Sequence, residues 1–184
     1  MSTTTQHKIS SRFAGISLDA YPHPYSVWMV VMLRLVMGGM MLFAGIGKLT
    51  GDGFNAGGYL SNVHAASPVS GLYATMASSA VMLDAINVII PVTQVLIGVA
   101  LLVGAFVRLA ALGGALQMLM FYLGGWEGEW LALFDPTLIY IVVFAAIGAF
   151  AAGRVLGLDK YIETIRVGGQ PLTERFPALR YLLG

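Results

Sequence analysis

Two basic side chains stand in one apolar run, where a guanidinium or ammonium group is suited to binding an oxygen atom. The run is VMLRLVMGGMMLFAGIGKL, residues 31–49, with Arg34 near its start and Lys48 near its end. Both groups donate hydrogen bonds and accept none, so carboxylate, carbonyl or anionic oxygens are their natural partners. Because a charge inside an apolar segment is costly to insert, Arg34 is a candidate functional residue.

Two glutamines occur in later apolar segments, and the helical period aligns them with small residues. One face of the first segment carries Arg34, Gly38, Met41, Gly45 and Lys48. The matching faces of the next two carry Asp84, Asn87, Pro91, Gln94 and Gly98, and Ala110, Gly113, Gln117, Phe121 and Gly124. Small and polar stripes pack against protein, so the three stripes should meet inside a bundle.

These stripes predict one interior pocket lined by Arg34, Gln94 and Gln117. In this interpretation Arg34 donates to a carbonyl or anionic oxygen of a bound ligand, and the amides complete the site. The alternative is that Arg34 lays its methylenes along the helix and extends its guanidinium to the lipid headgroups.

Other polar residues fall at the predicted outer boundary. Helix rise places Lys48 and Asp84 at similar depth, which predicts an ion pair that gates the outer end of the bundle. His64, in the loop between the first two segments, could contact a small anion or a partner, although a lone loop histidine is more often only solvated. Asp159 should cap the helix that follows it.

Composition indicates that these residues lie on membrane helices. Hydrophobic residues make up 58% of the chain and charged residues 10%, and the mean hydropathy is +0.80, whereas soluble domains carry roughly 25% charged residues. Asp135 and Pro136 suit the start of the last segment. The sequence predicts an all-α membrane protein, a bundle of four transmembrane helices at residues 27–49, 85–106, 109–126 and 136–153.

The distribution of Lys and Arg predicts the orientation. One side of the spans should carry Lys8, Arg12, Arg108, Arg154, Lys160, Arg166, Arg175 and Arg180, and the other only Lys48. Basic residues favour the cytoplasmic side, so both termini should be cytoplasmic in a multi-pass protein of the cell membrane. The basic C-terminal tail suits anionic membrane lipids, and no nucleic-acid partner is expected.

Three parts of the chain are predicted. Residues 1–24 form a polar cytoplasmic tail, residues 25–155 the membrane domain, and residues 156–184 an interfacial tail with a short helix from Lys160. The outer loop, residues 50–84, should form a small extracytoplasmic helical cap. Its helix should begin at Ser67 and Pro68 and continue through residues 71–83.

Composition excludes several redox centres. Without cysteine the chain has no thiolate for an iron–sulfur cluster and no attachment point for a c-type haem. Its three histidines, His7, His23 and His64, lie outside the predicted spans, so a haem held between two membrane histidines is not expected. No metal site is predicted on this chain.

Three stretches resemble the DoxX and DoxD-like membrane proteins. LRLVMGGMMLFAGIGKL is similar to their first helix, QVLIGVALLVGAFVRLAALGGALQML resembles their second and third helices, and AAGRVLGLDKYI resembles their closing motif. The resemblance covers about residues 27–163. Family members often carry Glu where this chain has Gln94, so a carboxylate that could pair with Arg34 or move a proton is missing here.

The resemblance implies a membrane subunit of a quinone-linked oxidoreductase, of which thiosulfate:quinone oxidoreductase is the model. Quinone is then the expected cofactor, Arg34, Gln94 and Gln117 the expected quinone contacts, and other oxidoreductase subunits the expected partners. The alternative is a non-catalytic subunit that packs against and stabilises a larger respiratory or other bioenergetic complex. A transporter is less favoured because the spans lack broken, repeated halves.

Overall fold

The computed structural model describes residues 9–13, 16–20, 25–51, 53–167 and 170–183, so Lys8, His7 and His23 lie outside it. The protein is mostly helical, at 74%. In chain order the elements are β1 Ile9–Phe13, β2 Ile16–Ala20, α1 Ser26–Thr50, α2 Gly57–Ser61, α3 Ser70–Ser78, α4 Ala80–Val103, α5 Val107–Gly124, α6 Pro136–Ala149, α7 Asp159–Thr164, β3 Arg166–Val167, β4 Gln170–Pro171, α8 Leu172–Arg175 and α9 Leu179–Leu182. Short 3-10 helices cover Trp130–Phe134 and Ala152–Arg154.

Three helices, α1, α4 and α5, are long and apolar enough to cross a membrane. The fourth, α6, has 14 residues, which corresponds to roughly 21 Å. Asp135 caps it as predicted, because its carboxylate accepts a hydrogen bond from the Thr137 amide at 2.7 Å. The helix ends at Ala149, four residues before the predicted end of the span, and Ala151 adopts a left-handed conformation with φ of 49°.

Glycines set the contact between α1 and α4. A Cβ atom on Gly98 would lie 2.5 Å from the Leu42 amide nitrogen, and one on Gly45 would lie 2.8 Å from the Pro91 carbonyl oxygen. The two backbones therefore touch directly. Gly38 lies opposite Leu101, whereas Gly45, further along α1, lies opposite Pro91, so the helices are antiparallel.

The helices α5 and α6 form the second close pair. A Cβ on Gly114 would lie 2.5 Å from the Phe144 ring, which is fully buried. By contrast α4 and α5, although joined by a tight turn, share a much smaller interface. Gly104 and Phe106 make that turn, both with positive φ. The bundle is thus two tight pairs with a looser seam between them.

Two short helices, α2 and α3, close the end of the bundle at which Lys48 lies, called here the lysine end. Their hydroxyls donate to three carbonyl oxygens at the end of α5: Tyr73 to Met120 (2.8 Å), Tyr59 to Phe121 (3.1 Å) and Ser67 to Leu123 (2.6 Å). These three bonds hold the cap against the last turns of α5. We call α2, α3 and their linker the cap.

The elements of the cap and tails differ in detail from the prediction. The helix expected from Ser67 begins at Ser70, because Ser67 bonds to α5, and the helix expected through residues 71–83 breaks at Ser79. There Ser79 caps α4, which begins five residues before the predicted start of the second span. Two antiparallel hairpins, β1–β2 and β3–β4, lie in the terminal segments and are not part of the all-α prediction.

Candidate functional site

Arg34 lies inside the protein, at the end of the bundle opposite to Lys48. Its side chain is 2% exposed. Its Nη1 donates to the carbonyl oxygens of Ala152 (2.6 Å) and Val155 (2.9 Å), and its Nη2 donates to that of Leu156 (3.0 Å). Arg34 therefore does not extend to the headgroups, and its hydrogen bonds go to the chain's own backbone.

The segment whose carbonyl oxygens bind Arg34, residues 152–159, is hydrogen-bonded to the turn between α4 and α5. The amides of Leu158 and Asp159 donate to the carbonyl oxygens of Val103 (3.2 Å) and Gly104 (2.9 Å). The buried Asp159 carboxylate accepts from the amides of Phe106 (2.6 Å) and Val107 (3.0 Å). Asp159 thus caps α5, which corrects the prediction that it caps the helix it begins. We call Arg34, Gly104 and residues 152–159 the arginine cluster.

The structure does not bring Arg34 together with the two glutamines. Because α1 and α4 are antiparallel, with Gly38 opposite Leu101, Arg34 falls at the level of Gly104. Gln94 lies ten residues away along α4, or about 15 Å. The predicted pocket of Arg34, Gln94 and Gln117 is therefore two separate sites, since depth counted from each sequence segment missed the stagger between helices.

Lys48 and Gln94 form the polar contact of the lysine end. The Lys48 Nζ donates to Gln94 Oε1 at 2.9 Å and to the Ala44 carbonyl oxygen at 3.3 Å. It also lies 5.6 Å from the centre of the Phe54 ring, within cation–π range. Gln94 itself is 2% exposed, so its amide holds the ammonium group in a half-buried position.

The predicted ion pair between Lys48 and Asp84 is absent from the described residues. Asp84 is exposed at the start of α4, ten residues before Gln94, or roughly 15 Å along the helix. The close glycine contacts set Lys48 opposite Gln94 instead. An amide oxygen therefore takes the place predicted for a carboxylate.

Gln117, on α5, faces α4 near the level of Gln94. Its Nε2 lies 3.5 Å from the Ile90 carbonyl oxygen, which is one helical turn from Gln94. The side chain is 8% exposed, and its Oε1 is buried without a hydrogen-bond partner. A buried polar atom without a partner is uncommon in folded proteins and points to an unfilled interaction.

A large groove follows the seam between α4 and α5. Its volume is about 1040 Å³, and its lining runs along α5 from Phe106 to Gly125, a distance of roughly 28 Å. Most of the lining is apolar. Leu96 and Ile97 line the α4 side, and Leu109 and Leu116 line the α5 side. Lys48 and Gln117 line its lysine end. A long apolar ligand with one polar end matches this shape.

Two tyrosines of the cap also line the groove. Burial raises the pKa of Tyr73 to about 12, with a smaller contribution from Tyr59, and burial together with Asp135 raises the pKa of Tyr59. Both phenols therefore stay protonated at neutral pH and keep donating to α5. Neither tyrosine lies on a periodic stripe of the sequence, so their contacts with α5 were not predicted.

His64 is exposed in the linker between α2 and α3. Its Nδ1 accepts a hydrogen bond from the Ala66 amide at 3.2 Å, so the ring is tied to its own loop. A contact with an anion or a partner stays a prediction. Among the residues that the structure describes, no three His, Asp or Glu side chains lie together as metal ligands would.

The chain matches the model of a known protein family. The family model for DoxX matches residues 29–124, slightly more than half of the chain, and this range holds most of α1 together with the cap, α4 and α5. No curated protein and no solved structure matches significantly. The matched range contains Lys48, Gln94, Gln117 and most of the groove lining. The chain is a membrane protein that belongs to the DoxX family.

Proposed function

We propose that the chain binds a quinone in the groove between α4 and α5 and acts as a membrane subunit of a quinone-linked oxidoreductase. The observation that carries this proposal is the groove itself, which is long, apolar and polar only towards one end. A quinone has the same polarity, with an isoprenoid tail and a ring that bears two oxygens. Its bound form would supply two-electron redox chemistry that the chain's own side chains lack.

The side chains divide into a tail site and a head site. Leu96, Ile97, Leu109 and Leu116 would contact the isoprenoid tail. Lys48 would donate to a ring oxygen, with Gln94 holding its ammonium group in place at 2.9 Å. Arg34 is not part of this head site, because it lies at the opposite end of the bundle, where its Nη1 and Nη2 donate to the arginine cluster.

The arrangement in the membrane follows from the same proposal. Four crossings, with α6 as the shortest, would leave both termini in the cytoplasm and the cap on the outer face, in accord with the Lys and Arg distribution. A small anionic electron donor such as thiosulfate would then approach from the cap, near Lys48 and His64. Electrons would pass from that donor, directly or through a partner subunit, to the quinone.

The test is to measure bound quinone in the purified protein. The chain is reconstituted in lipid nanodiscs with ubiquinone or menaquinone, washed and extracted, and we expect about one quinone per chain, as for a single ligand site. Gly113 lines the groove, so Gly113→Leu should fill it and lower the yield severalfold. Gly39→Leu is the matched control, because a Cβ there meets nothing within 4 Å. Absence of quinone from the unmodified protein would overturn the proposal.

A second variant tests the head site. Lys48→Met keeps the length of the side chain and removes the ammonium donor, which should weaken quinone binding about tenfold, the effect of one charge-assisted hydrogen bond. Lys160→Met, an exposed change in α7, should leave binding unaltered. Equal affinities for the two variants would remove Lys48 from the head site.

A non-catalytic role is the second candidate. The 3-10 helix before α6 exposes Trp130, Leu131 and Phe134 almost completely, and such a patch suits either the membrane interface or another subunit. In this case the chain would anchor or stabilise a larger bioenergetic complex. Co-purification of cofactor-bearing subunits without bound quinone would favour it over the first proposal.

A further inference from the structure

The unpartnered oxygen of Gln117 indicates which hydrogen-bonding group the head of the ligand must carry. The Gln117 side chain lines the lysine end of the groove. Its Oε1 is buried and accepts no hydrogen bond. An amide oxygen can only accept, so its missing partner is a hydrogen-bond donor. A ligand whose oxygens are all carbonyls cannot supply one.

A contact with α4 favours one orientation of the amide. Gln117 Nε2 faces the carbonyl oxygen of Ile90 at 3.5 Å, and that oxygen also accepts from Thr93 Oγ1 at 3.0 Å. Turning the amide over would set Oε1 against the Ile90 oxygen, and two acceptors facing each other repel. The unpaired atom of Gln117 is therefore its acceptor, Oε1.

Lys48 provides a hydrogen-bond donor near the level of Gln117. Its Nζ donates to Gln94, which is one helical turn from Ile90 on α4, and it lines the same groove. The head site thus combines one cationic donor and one neutral acceptor. A ligand that satisfies both carries an oxygen that accepts and a hydroxyl that donates.

We propose that this groove is selective for the reduced carrier, and that Gln117 accepts a hydrogen bond from a hydroquinone hydroxyl while Lys48 donates to an oxygen of the same ring. This inference rests on the proposed function and adds the redox state that the site prefers. The oxidised ring has only acceptors, so it leaves Gln117 Oε1 buried and unpaired. Such an unpaired group costs more free energy than an ordinary hydrogen bond contributes.

The experiment compares the affinities of one carrier in its two redox states. Decylubiquinol and decylubiquinone are titrated separately, under argon, into the full chain in nanodiscs, and binding is followed by tryptophan fluorescence. We expect the reduced form to bind at least about tenfold more tightly, which would raise the midpoint potential of the bound two-electron couple by about 30 mV.

Variants assign the preference to Gln117. Gln117→Leu and Gln117→Met both remove the acceptor, and either should bring the two affinities within about twofold of each other by weakening the reduced form. Gln170→Leu removes the same amide from the exposed C-terminal tail and should keep the full preference. Circular dichroism and melting confirm that each variant is folded.

The outcomes separate the two proposals. Equal binding of both forms by the unmodified protein would overturn the selectivity while the proposed function stands. Binding of neither form would overturn both. A preference for the reduced form that survives in both Gln117 variants would remove Gln117 as its cause.

Discussion

A single buried arginine shows what residue types alone can and cannot predict. The sequence indicates that Arg34 faces protein, because it shares a helical face with Gly38, and it is indeed buried. Its partners are carbonyl oxygens of residues 152–156. Every residue has a carbonyl oxygen, so no residue type marks these partners, and the long sequence separation hides the contact further.

Replacement of Arg34 tests its structural role. Arg34→Leu leaves two carbonyl oxygens of the arginine cluster without a donor, since that of Ala152 keeps the Val155 amide, and each such oxygen costs about 1 to 3 kcal/mol. We expect the free energy of unfolding to fall by about 3 kcal/mol or more, as measured by denaturation in detergent micelles. Arg154→Leu breaks the exposed bond to Glu163 at 2.7 Å and should cost less than about 1 kcal/mol. Equal losses would contradict this role.

At the scale of helices, the sequence predicts position well and ends less well. The glycine stripes correctly indicate which faces of α1 and α4 pack together, since only small residues allow such close approach. The predicted end of the fourth span was wrong because residues 150–153 are as apolar as α6 itself. A left-handed turn at Ala151 cannot be recognised from hydropathy. The stagger between α1 and α4 was also not predictable, and it decides that Lys48 meets Gln94 and not Asp84.

The glycine contact gives a prediction for α1 and α4. In Gly98→Ala the new Cβ would lie 2.5 Å from the Leu42 amide nitrogen, so the helices must separate, at a cost of about 1 to 3 kcal/mol. Thermal melting in nanodiscs would detect the loss. Gly39→Ala adds the same atom in open space, and it should be neutral or stabilise by up to about 1 kcal/mol. A neutral Gly98→Ala would show that the two backbones are farther apart.

The cap gives a second prediction at this scale. Tyr73→Phe removes the hydrogen bond to Met120 and should destabilise the cap by about 1 kcal/mol, as measured by hydrogen exchange of the α3 amides. Tyr181→Phe, at an exposed position in α9, should have no effect there. If both variants exchange alike, Tyr73 does not hold the cap.

The same tyrosine predicts an alkaline transition. Folding raises the pKa of Tyr73 from 10.0 to about 12, so the folded cap binds this proton more tightly than the unfolded chain. Its contribution is complete below pH 10 and is lost as the pH rises through about 12. Tyr73→Phe should reduce this loss, leaving the part due to Tyr59. An unchanged pH profile in the variant would contradict the assignment.

At the scale of the whole molecule, the candidate site is a space between helices. Gln94 and Gln117 could be predicted as interior polar residues, but the groove between α4 and α5 arises because α4 packs tightly on α1 and α5 on α6, with the cap above both. Whether two adjacent helices close or splay depends on all their neighbours. The sequence therefore predicts the polar residues of the site and not its volume.

Photolabelling would show whether this groove holds a quinone. The unmodified chain in nanodiscs is illuminated with an azidoquinone, and the labelled residues are identified by mass spectrometry. Label should appear on groove residues of α4 and α5, such as Ile97 and Leu116, and excess unlabelled quinone should compete it away. Label that falls instead on the exposed surface of α1, at Phe43 or Val36, and resists competition would show that the groove holds no quinone.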